Sequence, residues 1–247
     1  MLGIIGGSGL TRLPNLAITR RQVVRTPYGD PSSALVFGTV AGREVVFLAR
    51  HGQGHTIPPH RVNYRANLWA LQSEGVTEIA AIFSVGGIAG ALGPGVIAVP
   101  DQLIDYTHGR AHTYFDGQDL NVVHVDFTRP YTQAVRLSLL AAAAKAGVPA
   151  IDGGVYAVVN GPRLETAAEI NRLERDGATM VGMTGMPEAG LARELGLAYG
   201  ALAVSVNYAA GRGDSELEIS LEQIRNVLAP AMERVREILE YWVHFHD

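Results

Sequence analysis

Short apolar runs rich in β-branched residues recur along the chain, at residues 2–5, 34–40, 44–49, 78–85, 95–99, 154–159 and 197–206. Each has strand length and is bounded by turn-forming residues, so each predicts a β-strand. Residues 79–85 and 202–206 are apolar at successive positions instead of alternating. That pattern predicts a sheet covered on both faces. Between and after the runs lie stretches with helical periodicity, at 61–74, 131–146, 165–176, 188–195 and 221–241. Gly147, Gly177 and Gly196 stand where three of them end, as helix C-caps do. The Ala-rich run 139–146 reads as a buried helix. Alternation of the two element types predicts an α/β fold, a mixed central sheet flanked by helices, in one domain spanning 1–247.

Composition narrows the function. The chain has 247 residues, 47% of them hydrophobic, which is enough for a substantial core. A formal net charge of −4 without a Lys/Arg run argues against nucleic-acid and membrane partners and for a small, individually held ligand. The absence of cysteine excludes a disulfide framework, a Cys-based zinc site and a thiol nucleophile. The N-terminus lacks a basic leader and no apolar stretch is long enough to span a bilayer, so the expected location is the cytoplasm.

Several segments carry candidate chemistry. Gly3-Ile4-Ile5-Gly6-Gly7-Ser8-Gly9-Leu10 is a strand entering a Gly-rich turn, where backbone N–H groups and the Ser8 hydroxyl can hold an anion. A dinucleotide fingerprint fails in register, because Arg12 occupies the third glycine position. Arg50 and His51 follow the strand 44–49 and offer a cation and an imidazole at a strand end, where open α/β sheets bind ligands; the competing reading is a surface pair at a turn. His51, His55 and His60, and the pair His108 and His112, lack the spacing of a metal site and read as solvated loop histidines. Glu165 reads as a helix first-turn residue complementing the helix dipole, and Asn207 as a turn residue. The segment 182–188 precedes a helix beginning near Pro187.

Taken together, these segments resemble the purine nucleoside phosphorylase superfamily, and within it the 5′-methylthioadenosine phosphorylase branch. The resemblance runs through Gly3 to Leu10, Thr26-Pro27-Tyr28-Gly29, Leu48 to His51, Val62-Asn63-Tyr64, Tyr114-Phe115-Asp116-Gly117, Gly161-Pro162-Arg163, Met183-Thr184 and Pro187-Glu188. It implies a metal-free pentosyltransferase without a cofactor, inorganic phosphate being a co-substrate that attacks the anomeric carbon as the purine leaves. It also implies a homotrimer, alone or as a dimer of trimers, with His124 reaching a neighbouring subunit's site. By position, Ser8, Arg50, His51, Ser84 and Thr184 hold phosphate. Met183, Glu165, Asn207, Ala209 and Leu221 bind the nucleoside, and Asn207 is the catalytic residue. Phe83 stands where the branch often has a hydroxyl.

Two departures bear on the substrate. Methylthioadenosine phosphorylases place a carboxylate at the position of Asn207 and a small hydroxyl residue at that of Glu165. A Glu165 carboxylate accepts from N1–H of a 6-oxopurine but meets a lone pair on adenine, while Asn207 can accept from N7–H and donate to O6. At the sugar end, Ile219, Leu221 and Ile224 stand where oxopurine enzymes have a histidine for the 5′-hydroxyl, which favours a methylthio group. The competing reading makes them the core face of the last helix. The expected reaction is phosphorolysis of S-methyl-5′-thioinosine to hypoxanthine and 5-methylthioribose 1-phosphate. The alternatives are an inosine/guanosine phosphorylase, a methylthioadenosine phosphorylase and a non-catalytic nucleoside-binding protein.

Overall fold

A computed structural model describes residues 1–117 and 121–246. In chain order its elements are β1 (Leu2–Gly6), β2 (Ala17–Gln22), β3 (Leu35–Val40), β4 (Arg43–Ala49), α1 (Tyr64–Ser73), β5 (Glu78–Gly87), β6 (Ile97–Val99) and β7 (Gln102–Asp105). There follow α2 (Gln133–Lys145), β8 (Ala150–Asp152), β9 (Val155–Val158), α3 (Ala167–Arg175), β10 (Met180–Gly182), α4 (Gly185–Glu194), β11 (Ala198–Tyr208) and α5 (Leu221–His244).

The strands form a mixed sheet in the order β2-β3-β4-β1-β5-β10-β9-β7, with β11 pairing β5 and β6, and β6 pairing β8. β1 runs parallel to β4 and β5, and β5 runs parallel to β11. The C-terminal ends of these four strands therefore open on one side, where ligands of open α/β sheets bind.

The successive apolar residues of the sheet are accounted for by two covered faces. Ile5, Val46, Ile79 and Ala201 pack with Leu68 and Leu71 of α1 and Ala189 and Leu191 of α4. Their neighbours Ile4, Val45, Ala80 and Leu202 pack with Val135 and Leu139 of α2 and Ile238 and Trp242 of α5. The predicted helices all form, with Gly147, Gly177 and Gly196 in left-handed conformations at φ 68°, 95° and 69°. α2 corrects one expectation, since it is half-buried: Leu139, Ala142 and Ala143 face the core while Leu137 is 52% exposed.

Candidate functional site

All ten residues proposed from sequence line one cavity of about 540 Å3 at the strand ends. The floor is built first. β1 ends at Gly6, and a side chain at Gly7 would press on the Ile82 carbonyl and on Arg50 NH1, so the glycine lets the turn lie against both. Ser84 Oγ donates to the Ser8 carbonyl at 3.3 Å, tying β5 to that turn.

Arg50 follows β4 and is fully buried, which overturns the surface-pair reading. Its Nε donates to Glu188 Oε2 at 2.6 Å, NH2 to Glu188 Oε1 at 2.8 Å and NH1 to the Ile82 carbonyl at 2.9 Å. Burial works against the guanidinium charge, and Glu188 more than offsets it, so the pKa is raised. Three of five N–H groups are thus used, and two remain for a ligand. Phe83 packs beneath this group, its ring 5.0 Å from the Arg50 guanidinium carbon and 5.1 Å from the Tyr156 ring, so it belongs to the core and not to the cavity wall.

His51 is also buried, contrary to its reading as a solvated histidine. Burial first, and the charge of Arg50 second, push its pKa down to about 4, so the ring is neutral near pH 7. Nδ1 lies 2.8 Å from the Ile57 carbonyl and must carry the hydrogen, because a carbonyl only accepts. Nε2 is then a lone-pair acceptor. While neutral, the ring meets phosphate as an acceptor from P–OH and not as a donor to an oxyanion. His55 lines the cavity beside it, the ring centroids 4.8 Å apart.

On the opposite side, Thr184 caps α4 without using its hydroxyl for the cap, and its backbone N donates to Tyr156 OH at 3.3 Å. Met186 departs from helical geometry, so the regular turns of α4 begin at Pro187 as expected. In β11 the pairing with β5 shifts register between Ser205 and Asn207. A bulge of this kind breaks the alternation of side chains. Val206 and Asn207 accordingly both line the cavity, and Asn207 is a strand residue, not a turn residue.

Glu165 lies outside α3, whose N-cap is Thr166; the residue in the first turn is Glu169, which completes a capping box with Thr166. The helix-dipole reading therefore belongs to Glu169. Glu165 Oε1 is buried without a hydrogen-bond partner and the residue lines the cavity. Its pKa is raised, chiefly by burial and also by the like charge of Glu169, against the opposing pull of its own backbone N–H and of Arg163. Ala209 sits against Gly86, and Met183 packs on Gly161, where any side chain would collide with its sulfur.

Ile224 packs in part on the core, so the competing reading holds in part, but the sugar-end segment lies before the fully buried face of α5. Its buried face begins at Ala231 and continues through Met232, Val235, Ile238, Leu239 and Trp242. Leu221 and Ile224, with Ile219 before the helix, line the cavity. Sequence reasoning missed Leu228, which lines it too and lies against Gly9, whose φ of 79° suits a residue without a side chain.

It also gave Glu188 no role and missed Tyr199 and Arg110. Glu188 is fully buried and accepts from Tyr199 OH at 2.7 Å as well as from Arg50. Arg110, 9% exposed, donates to the carbonyls of Met183 at 2.9 Å, Met186 at 2.5 Å and Asn160 at 3.0 Å, joining the two loops that frame the nucleoside end. A lone Arg in a loop gives no sequence signal of such a clamp.

The pattern of the phosphorylase superfamily matches residues 1–243. The chain belongs to that superfamily. As a member it is a nucleoside phosphorylase, a pentosyltransferase. This phosphorylase is 53% identical over 236 residues to a probable S-methyl-5′-thioinosine phosphorylase of Pseudomonas syringae pv. tomato, covering 96% of this chain and 95% of that one. It is 45% identical over 221 residues to the 6-oxopurine nucleoside phosphorylase of Pyrococcus furiosus, covering 87% and 82%. Its fold matches the methylthioadenosine phosphorylase of Schistosoma mansoni in complex with adenine at a TM-score of 0.95 and 33% identity, over 99% of this chain and 91% of that one.

Proposed function

We propose that this phosphorylase splits S-methyl-5′-thioinosine with inorganic phosphate into hypoxanthine and 5-methylthioribose 1-phosphate, without a cofactor. The observation that carries the base assignment is the buried, unpartnered Oε1 of Glu165 in the same cavity as Asn207. An acceptor with nothing to accept from is costly until a ligand donor arrives, by about 1–3 kcal/mol. N1–H of a 6-oxopurine is such a donor, whereas adenine brings a lone pair.

In the reaction, a phosphate oxygen forms a bond to C1′ as the C1′–N9 bond breaks and its electron pair passes to the purine. Ser8, Arg50, His51, Ser84 and Thr184 hold the phosphate, the two spare N–H groups of Arg50 being donors. Negative charge on the leaving purine is relieved by protonation at N7, and Asn207 Oδ1 accepts from that N7–H. Met183 and Ala209 pack against the nucleoside. Ile219, Leu221, Ile224 and Leu228 offer the 5′ end no hydrogen-bonding side chain, which suits a methylthio group and penalises a hydroxyl.

We further place the enzyme in the cytoplasm as a homotrimer, alone or as a dimer of trimers. Val122 is 78% exposed, with Val123 and Val125 at 42% and 37%, an apolar segment that a neighbouring copy would cover while presenting His124. The double variant Glu165→Ser with Asn207→Asp tests the base assignment. It is expected to shift preference toward 6-aminopurine nucleosides, and an unchanged 6-oxopurine preference would refute the assignment.

A further inference from the structure

Glu165 is held in an unusual setting for a carboxylate. The neighbouring cation, Arg163, turns to Glu169, with NH2 to Oε1 at 2.6 Å and NH1 to Oε2 at 2.8 Å. On the facing loop, Glu216 and Glu218 border the same crevice as Glu165. The cation of that loop, Arg212, is turned to Glu174 at 2.7 Å and Asn171 at 2.8 Å. Within the main cavity Arg50 is neutralised by Glu188, His51 is uncharged, and His55 is the other titratable group on that wall. Among the described residues no ion pair is formed by Glu165, and Oε1 has no hydrogen-bond partner. Burial, the largest influence, and the like charge of Glu169 favour the neutral acid, and together they outweigh a hydrogen bond from the residue's own backbone N–H and the nearby charge of Arg163, which favour the ion.

The neutral acid has different recognition chemistry. A carboxylate only accepts, but a carboxylic acid donates through its O–H and accepts through its carbonyl. A 6-aminopurine presents the complement, an acceptor at N1 and a donor at the 6-amino group. We propose that Glu165 reads two purine classes: as a carboxylate it selects 6-oxopurine nucleosides, and as a carboxylic acid it admits 6-aminopurine nucleosides as a second, acid-favoured substrate class. This rests on the 6-oxopurine reading of the site and extends it.

The relation has a fixed quantitative form. One substrate needs the ionised residue and the other the protonated one, so the ratio of their kcat/KM values follows the ratio of acid to carboxylate. That ratio changes about tenfold per pH unit, whatever the pKa of Glu165. Phosphate ionisation, His51 and enzyme stability affect both substrates alike and cancel.

The test is direct competition between S-methyl-5′-thioinosine and 5′-methylthioadenosine in one phosphate-containing reaction, from about pH 5.5 to about pH 8, a window in which N1 of neither substrate titrates. The expected result is an adenine-to-hypoxanthine product ratio that rises about tenfold for each unit of acidification. In Glu165→Gln, whose amide carries donor and acceptor at every pH, the ratio becomes flat and adenine release persists at neutral pH. A flat ratio in the wild type, no adenine release at the acidic end, or a slope that survives in Glu165→Gln would each overturn the inference. Failure to consume methylthioinosine at neutral pH is a separate result and would overturn the underlying substrate reading instead.

Discussion

Glu188 grips Arg50 through both carboxylate oxygens, at 2.6 Å and 2.8 Å, with both side chains fully excluded from solvent. Removing one partner of such a pair strands the other charge in the core, at about 3–5 kcal/mol. Glu188→Gln is therefore expected to lower Tm by roughly 6–20 °C. Added phosphate, an anion that can pair with the freed guanidinium, is expected to restore more of the loss than it adds to the wild type. Thermal scans with and without phosphate check this, and a Tm within a few degrees of the wild type would refute the role given to Glu188.

His51 links stability to pH. Its folded pKa, about 4, lies below the unfolded value near 6.5, so between them the unfolded chain binds more protons. Stability is full above about pH 6.5, falls as the pH drops through that range and levels off below the folded value. The loss at about pH 5 comes to about 2 kcal/mol. His51→Asn keeps a donor for the Ile57 carbonyl without the titration, and is expected to remove about 4–8 °C of the acid-side drop in Tm. Identical pH profiles for variant and wild type would show that His51 is not the group responsible.

Arg110 offers a test of positioning. Replacing it with Met strands the carbonyls of Met183, Met186 and Asn160 and releases the loops that they belong to. Initial-rate kinetics are expected to show KM for the nucleoside raised at least about tenfold, the worth of 1.4 kcal/mol, with KM for phosphate changed much less. Equal effects on both constants would indicate general loosening of the fold.

The apolar 5′ wall predicts a designed switch. Ile224→His introduces a donor near the sugar end and is expected to improve inosine relative to methylthioinosine by about tenfold, roughly the worth of one hydrogen bond. Comparison of the two kcat/KM values measures it. No change in their ratio would remove Ile224 from the 5′ pocket.

How far the sequence disclosed this molecule depended on which force shaped each part. β4, β5 and β11 were legible because burial on both faces demands unbroken apolar runs. β2 was not, because Ala17–Gln22 is a largely exposed edge strand with polar residues from Thr19 to Gln22. β7, β8 and β10, of four, three and three residues, are too short to show a period. The site residues were assigned through family resemblance, and their convergence on one cavity follows from the parallel strand ends. What stayed hidden was support from distant positions. Glu188 lies 138 residues from Arg50, and its burial and bonding arise only on folding. The misreading of Glu165 as a first-turn residue has a local cause, since Thr166 with Glu169 forms the stronger capping box and starts the helix later.

The most direct test is a phosphate-dependent assay of S-methyl-5′-thioinosine, inosine and 5′-methylthioadenosine side by side at neutral pH, following release of free base. Two mismatched buried groups in the base pocket predict that methylthioinosine exceeds methylthioadenosine in kcat/KM by at least roughly thirtyfold, and the apolar 5′ wall predicts that it also exceeds inosine. Equal use of inosine would contradict the 5′ assignment, and faster release of adenine than of hypoxanthine would contradict the central claim that Glu165 and Asn207 select a 6-oxopurine.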